Sequence, residues 1–313
     1  MLGYLLRRVL ATIPVMAIVA LFVFSLLYLA PGDPAAVIAG DQASPEDVEK
    51  IRKSLGLDRP FLVRFTEWSL QVLSGDLGIS MFTGLPVTEL IRQRIEPTLS
   101  LMVVTLFLAI GVAVPAGVIA AWKAGTWIDR TVMAFAVLGF SVPVFIIGYL
   151  LAYIFALQLD WLPVQGYTPI SRGFWPWLEN LILPAIALGF VFMALIARIT
   201  RATMLEVLSQ DYVRTARSKG VGEGSILFVH ALKNAAVPIV TVIGIGVALL
   251  IGGAVVTESV FAIPGLGRLT VDAILRRDYP LIQGLVLLFS FVYVLVNLAI
   301  DLSYTLLDPR IRY

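Results

Sequence analysis

One histidine, His230, and no cysteine are all this chain offers of the side chains most used for nucleophilic, redox and soft-metal chemistry. That excludes a disulfide framework, a thiol nucleophile, and zinc or iron–sulfur sites built from cysteine. An enzyme working inside a membrane needs a nucleophile and a base within reach of each other, and no such pair is visible. The phosphate loop GxxxxGK[ST] is absent: GVGEG at 220–224 lacks the lysine and follows a helix-like segment rather than a strand. No catalytic residue, cofactor or metal site is therefore expected, and the energy for any work enters from another chain. Two stretches still stand out for what they could do: the basic, glycine-broken DYVRTARSKGVGEGSILFVHALKNAAVPIV at 211–240, and ESVFAIPGLGRL at 258–269.

Both are positioned by apolar sequence. The 313 residues are 59% hydrophobic and 14% charged, against about 45–50% and about 25% in a soluble domain. The excess lies in six runs, over 9–30, 99–122, 131–157, 178–197, 236–257 and 281–305, each long enough to cross a hydrocarbon core of about 30 Å as a helix. The expected fold is an all-α polytopic membrane protein with six transmembrane helices. Arg7 and Arg8 precede the first run as in a signal peptide, but this run outlasts a signal h-region and five more follow. The net charge of +2 is too small to suggest nucleic acid.

Lysine and arginine in the short flanks set the direction. With the N-terminus inside, the inner side carries Arg7, Arg8, Lys123, Arg130, Arg198, Arg201, Arg214, Arg217, Lys219, Lys233, Arg310 and Arg312. The short outer loops carry only Arg172, Arg268, Arg276 and Arg277. Both termini are thus expected in the cytoplasm, and the loops 31–98 and 198–235 on opposite faces. The organisation reads as 1–30, an inner terminus and first span; 31–98, a partly helical outer segment; and 99–313, a five-helix core containing the inner loop 198–235.

The middles of the spans carry no charge. Glu258 and Asp301 fall near span ends, where they are expected to reach water. A stand-alone secondary transporter or channel is the competing function, but ion-driven transporters usually hold ionisable groups at membrane depth. Glycine and proline are abundant instead, among them Pro115, Gly117, Gly139, Pro143, Gly148, Pro184, Gly189, Gly244, Gly246, Gly252 and Gly253. Ordinary close helix packing accounts for most of them.

The outer segment reads as ordered. Ser44, Pro45 and Asp47 stand in capping-box register, Val48, Ile51 and Leu55 form a stripe, and Gly56 closes the helix. A second amphipathic helix over 60–73 presents Phe61, Phe65, Trp68 and Val72 and ends at Gly75; a third stretch begins at Pro86 and runs through Leu90 into the second span. Such a segment suits either a docking surface for an outer partner or a lid lying on the membrane face.

In the inner loop, DYVRTARSKG predicts a short helix with Asp211 as N-cap, Arg217 and Lys219 in the last turn and Gly220 as left-handed terminator. Gly222 and Gly224 permit a reversal, and a second helix from about Ser225 leads into the fifth span. The stripe Tyr212, Ala216, Lys219 could fit a partner's groove, with Arg214 and Arg217 meeting acids there; alternatively the loop is a solvated basic face. At the outer end of that span, Glu258, Phe261, Pro264, Gly265 and Gly267 suit a re-entrant loop bordering a path, or a rigid turn with Phe261 packed down.

The inner segment resembles the "EAA" loop of ABC-importer permeases. Ala216, Gly220 and Leu232 fall on the general pattern, whereas Arg214 and Thr215 replace its Glu and first Ala, and His230 and Lys233 replace its Ile and Pro. The likeness to the dipeptide/oligopeptide/nickel branch is closer. YVRTARSKG and HALKNAAVPIVT are similar to its loop, and RRVL, PGDPA (31–35), LGLDRP (55–60), GDLGIS (75–80), PVTELI (86–91), SVPVF (141–145), ESVFAIPGLGRL, RDYPLIQG (277–284) and NLAIDLSYTLLDPRIRY (297–313) follow in order. The outer loop after PGDPA resembles the B-type, or first, membrane subunit.

The resemblance implies an ABC type I importer permease fold in the bacterial inner membrane, forming half of a translocation path for peptides or a similar small solute. It implies a second, C-type permease, two ATP-binding subunits below, and an extracytoplasmic solute-binding protein above. The coupling helix would be Tyr212 to Gly220, with Arg214, Thr215, Ala216, Arg217 and Lys219 at the ATPase. Glu258, Phe261, Pro264, Gly265 and Gly267 would lie near the outer mouth or the binding protein.

Overall fold

The apolar runs form helices that outlast them. In the computed structural model, which describes residues 2–29, 35–36, 44–54 and 56–307, these are α1 (Leu2–Leu29), α4 (Val87–Trp122), α7 (Phe174–Leu208), α9 (Glu223–Val260) and α11 (Tyr279–Leu307). All five are long and apolar enough to cross a membrane. Between them lie α2 (Pro45–Ser54), α3 (Phe61–Leu73), α8 (Asp211–Ser218) and α10 (Leu266–Leu275). PGDP at 31–34, Leu55, the side chain of Ile51, and residues 308–313 with Arg310 and Arg312 lie outside what is described.

The third expected span is not a straight rod. It consists of α5 (Trp127–Ser141) and α6 (Val144–Leu151), the latter running on through a wide π-helical turn to Gln158, and the two arms meet at 108°. The cause is local. Pro143 drives the residue before it out of the helical region, and Val142 is extended at φ −104°, ψ 124°. Counted together, the pair is the sixth span.

Contacts divide the chain into two compact units, one of 1–95 with 269–295, the other of 96–268 with 296–313. In the first unit, α3 packs on the C-terminal end of α1 through five rings. Phe24 lies 5.3, 5.5 and 5.2 Å from Phe61, Phe65 and Trp68, and Tyr28 lies 5.2 Å from Phe61. The Arg64 guanidinium covers both Phe24 and Tyr28 and donates to the Tyr28 hydroxyl. The expected aromatic face of 60–73 is thus the face that α1 covers. Ser44 caps α2 as its register implies: its Oγ accepts the Asp47 N–H at 3.2 Å and donates to the Asp47 carboxylate at 2.7 Å. That bond holds the Asp47 carboxyl below the usual carboxylate range, with Lys50 adding to the effect.

Two of the sequence motifs meet in this unit. Ser80, ending GDLGIS, donates to Asp278 of RDYP at 2.5 Å, and Asp278 accepts the Met81 N–H at 3.2 Å. Both Ser80 and Asp278 are buried. The bonds fix the turn that precedes α4 against the residue just before α11.

In the second unit α7 is the central post. Of its most apolar window 61% is buried, against 28% for α4 and for α9. Leu181, Leu188, Phe192 and Ile196 of α7 meet Leu101 of α4 and Leu250 and Ala254 of α9 in one core. Glycines make the approaches close. A Cβ at Gly117 would lie 2.6 Å from the Ala197 carbonyl and 2.7 Å from Thr200; one at Gly139 would lie 2.6 Å from Ala194; one at Gly253 would lie 2.7 Å from Leu188. Close packing thus explains these positions. Gly252 differs, having nothing within 4 Å. Gly117→Ala is expected to lower stability by about 1–3 kcal/mol, since the obstructing atom is backbone, while Gly252→Ala stays near neutral; thermal melts of the two variants in detergent check the contrast.

Candidate functional site

The inner loop is a short helix held between two turns. The α7 helix ends at Leu208, Gln210 is extended at φ −71°, ψ 148°, and α8 begins at Asp211. Gln210 therefore occupies the N-cap without a side-chain bond, and Asp211 sits one place inside. This corrects the expected cap. A carboxylate in the first turn complements the helix dipole equally well, so the sequence alone does not separate the two positions.

The far end is as the sequence predicts. Gly220 stands at φ +78°. Its N–H donates to the Arg217 carbonyl at 2.9 Å and the Val221 N–H to the Ala216 carbonyl at 3.1 Å. This crossed pair is the Schellman closure, and it needs the left-handed residue that glycine supplies without strain. Gly222 is extended at φ −62°, so the reversal uses one glycine rather than three.

One side of α8 is anchored and the other is open. Val213 is fully buried, and the helix packs on the π-helical turn Ile226–Ala231 at the start of α9. Tyr212, Arg214, Thr215, Arg217 and Lys219 are exposed and Ala216 is half-buried. Burial of part of the ring raises the Tyr212 phenol above its ordinary value, against a smaller opposing effect from Asn234, so it stays neutral at physiological pH. Arg217 is already engaged within the chain, its Nε and Nη2 donating to Glu223 at 2.8 and 3.3 Å. The pair bridges the Gly220 turn. Arg214 reaches Asp211 only at 3.5 Å, with both side chains mostly in solvent.

The outer turn differs from expectation. Glu258 does not reach water: it is 0% exposed. One carboxylate oxygen accepts the Thr98 hydroxyl at 2.6 Å, and the other accepts the Arg268 N–H at 2.9 Å. Thr98 Oγ in turn accepts the Leu266 N–H at 2.8 Å. The carboxylate thus satisfies donors at the N-terminus of α10, where a helix favours negative charge. The apolar run ends nearby, which is why the sequence placed Glu258 at water. The protein supplies polar partners instead.

The rest of the turn is equally enclosed. Phe261 is 2% exposed and its carbonyl accepts the Gly166 N–H at 2.9 Å. Ala262 is left-handed at φ 50°. A Cβ at Gly265 would overlap the Glu258 carboxylate, and one at Gly267 would lie 2.6 Å from Val255 Cα. The turn is close-packed, with Phe261 held down inside it. Pro264 is half-buried and Arg268 exposed.

A further pair escaped the sequence reading. Asp129, in the first turn of α5, is 4% exposed and takes both Nε and Nη2 of Arg201 from α7, the latter at 2.6 Å, together with the Gly125 N–H at 2.9 Å. Arg201 figured only as one of many inner positive charges. A buried acid is seldom stable without such pairing, but no spacing rule links residues 72 apart.

Residues 113–313 match the family described as binding-protein-dependent transport system inner membrane component, and residues 1–102 match its N-terminal region. The chain is 57% identical to a probable peptide ABC transporter permease of Sinorhizobium fredii, covering 99% of each. It is 41% identical to the dipeptide transport system permease DppB of Alkalihalophilus pseudofirmus and 43% identical to a glutathione transport system permease of Escherichia coli, covering 100% of each chain. Among solved structures it shares the fold of the MetNI methionine ABC transporter in an inward-facing form, with a TM-score of 0.59 at 19% identity, over 71% of this chain and 97% of that one. The chain belongs to the binding-protein-dependent transport inner membrane component family, and is a multi-pass permease subunit of an ABC importer.

Proposed function

We propose that this permease imports peptides and that α8 is its ATPase-docking element. The observation that carries the docking reading is the build of the inner loop: a helix pinned by buried Val213, closed by Gly220, and presenting Tyr212, Arg214, Thr215 and Lys219 outward. A rigid short helix with a basic, partly aromatic outer face suits a groove with an acidic rim. Arg217 serves the turn through Glu223 rather than the partner directly. The lysine and arginine bias supports a cytoplasmic position for this loop and both termini. The assembly is completed by a second, C-type permease, two ATP-binding subunits and an extracytoplasmic solute-binding protein.

The peptide reading rests on the relatives, whose names give peptide, dipeptide and glutathione as cargo. All three share the amide-linked backbone with charged ends. In proteoliposomes holding the full assembly, uptake of a labelled dipeptide is expected to require internal ATP and the binding protein, and to persist when proton and sodium gradients are collapsed. Uptake driven by either gradient without ATP would contradict this.

A further inference from the structure

The inner end of α5 is tied to its neighbours in an unusual way. The apolar cluster at this end joins α4, α7 and α9 through Val118, Ala121, Met204, Leu227, Ala235 and Ile239, and among the described residues it holds none from α5. Trp127, the first residue of α5, is 76% exposed. Farther along, Gly139 sits directly on Ala194 and the Phe190 carbonyl of α7. Between that approach and the inner end lies an apolar cleft of about 210 Å³, lined by Ala116, Val132, Phe135, Met193 and Ala197. Along its inner half α5 meets α7 through half-buried Val132 and buried Ala136, with the cleft beside them. The tie at its end is polar: Asp129 with Arg201.

The two ends of this tie lie on different elements. Arg201 lies on α7, which runs unbroken to Leu208 and delivers the chain to α8 two residues later. Seven residues of helix span about 10 Å, short enough to move as a rod. Asp129 is fixed to the α4–α5 turn by the Gly125 N–H, at a glycine with φ +79°, and Thr126 Oγ holds the Lys123 carbonyl at 2.6 Å. On the far side of α5 lies the 108° bend into α6.

We propose that the Asp129–Arg201 pair is the strut that carries displacement of the inner loop into the bent span α5–α6, making both residues positioning residues for transport. The proposal rests on the docking reading of α8. The two-pronged geometry matters: a guanidinium on a carboxylate resists shear as well as separation, and the neighbouring cleft leaves α5 room to follow. A strut of this kind is required for converting ATP hydrolysis into transport, not for binding the ATPases.

The test uses the complete assembly, with both permeases, the ATP-binding subunits and the binding protein, in proteoliposomes. Asp129→Asn removes the charge, and Arg201→Lys keeps it while losing the fork. Subunit composition, ATP hydrolysis and peptide uptake are measured on each. The expected result for Asp129→Asn is full ATPase content, undiminished hydrolysis, and transport per ATP lower by about tenfold, within the usual range for coupling between sites. Arg201→Lys should fall between this and the parent. The strut is overturned if transport per ATP is unchanged in Asp129→Asn, if uptake and hydrolysis fall in proportion, or if both variants fail to assemble, since the pair would then serve folding alone. Failure of the docking reading looks different: Gly220→Pro with Arg217→Glu would then leave the ATP-binding subunits bound.

Discussion

Glu258→Leu is expected to destabilise this protein by about 2–4 kcal/mol. The figure follows from what is left behind. The Thr98 hydroxyl and the Arg268 N–H lose their acceptor in a site closed to water, and each buried donor without a partner costs about 1–3 kcal/mol. Leucine fits the size of the site but offers no acceptor. Glu258→Gln keeps one oxygen for one donor and turns an amide N–H₂ toward the other, so its loss should be smaller, about 1–2 kcal/mol. Thermal unfolding of the purified chain in mild detergent, followed by tryptophan fluorescence, should rank parent above Gln above Leu. Equal melting of Leu and parent would mean that Glu258 reaches solvent in the membrane-embedded protein, as its place near the end of an apolar run first suggests.

The second large effect is functional. Gly220→Pro combined with Arg217→Glu should release the ATP-binding subunits from the assembly while leaving the permease folded. Proline fixes φ near −65° and has no N–H, whereas Gly220 uses φ +78° and donates to Arg217 O. The Schellman closure is then lost. Replacing Arg217 sets a second carboxylate beside Glu223 where an ion pair bridged the turn. Both changes act on an exposed turn away from the apolar core, so the melting temperature should fall by only a few degrees. Co-purification of the ATP-binding subunits, measured by quantitative mass spectrometry, should drop by about tenfold or more, as expected when a docking element loses its shape. Retention of those subunits would place their contact elsewhere in the loop.

Much of this architecture is written in local sequence. Five of the expected spans, and a sixth where the bent pair α5–α6 is counted as one, lie where about 20 apolar residues predict them, and the Ser44 cap, the aromatic face of α3 and the left-handed Gly220 follow from neighbours within one or two turns. The interaction sets that lock the units do not. Ser80 finds Asp278 across 198 residues, Thr98 finds Glu258 across 160, and Arg201 finds Asp129 across 72. Some of these residues lie in distinctive motifs, but partners so distant are chosen by how the helices pack rather than by local spacing. Glu258 shows the cost of hydropathy used alone: an acid at the edge of an apolar run looks solvated unless its donors are known. The bend at 142–143 lies between these cases. Pro143 announces a break, but its 108° angle is set by how α6 packs against α7 and by the close approach of Gly148 to Phe261.

Because the chain contains no cysteine, one introduced at an exposed position of α8 is unique. Thr215 on α8 is exposed, and its hydroxyl bonds only within the helix, to the Asp211 carbonyl at 3.0 Å. The decisive measurement is cross-linking of Thr215→Cys, in inner membrane vesicles of the native host, with a short lysine- and thiol-reactive reagent. Docking of α8 predicts a cross-linked band containing this permease and an ATP-binding subunit, changing in yield when ATP or a non-hydrolysable analogue is added. A cysteine that labels freely with small thiol reagents but yields no such band, in vesicles that still import peptide, would contradict the account.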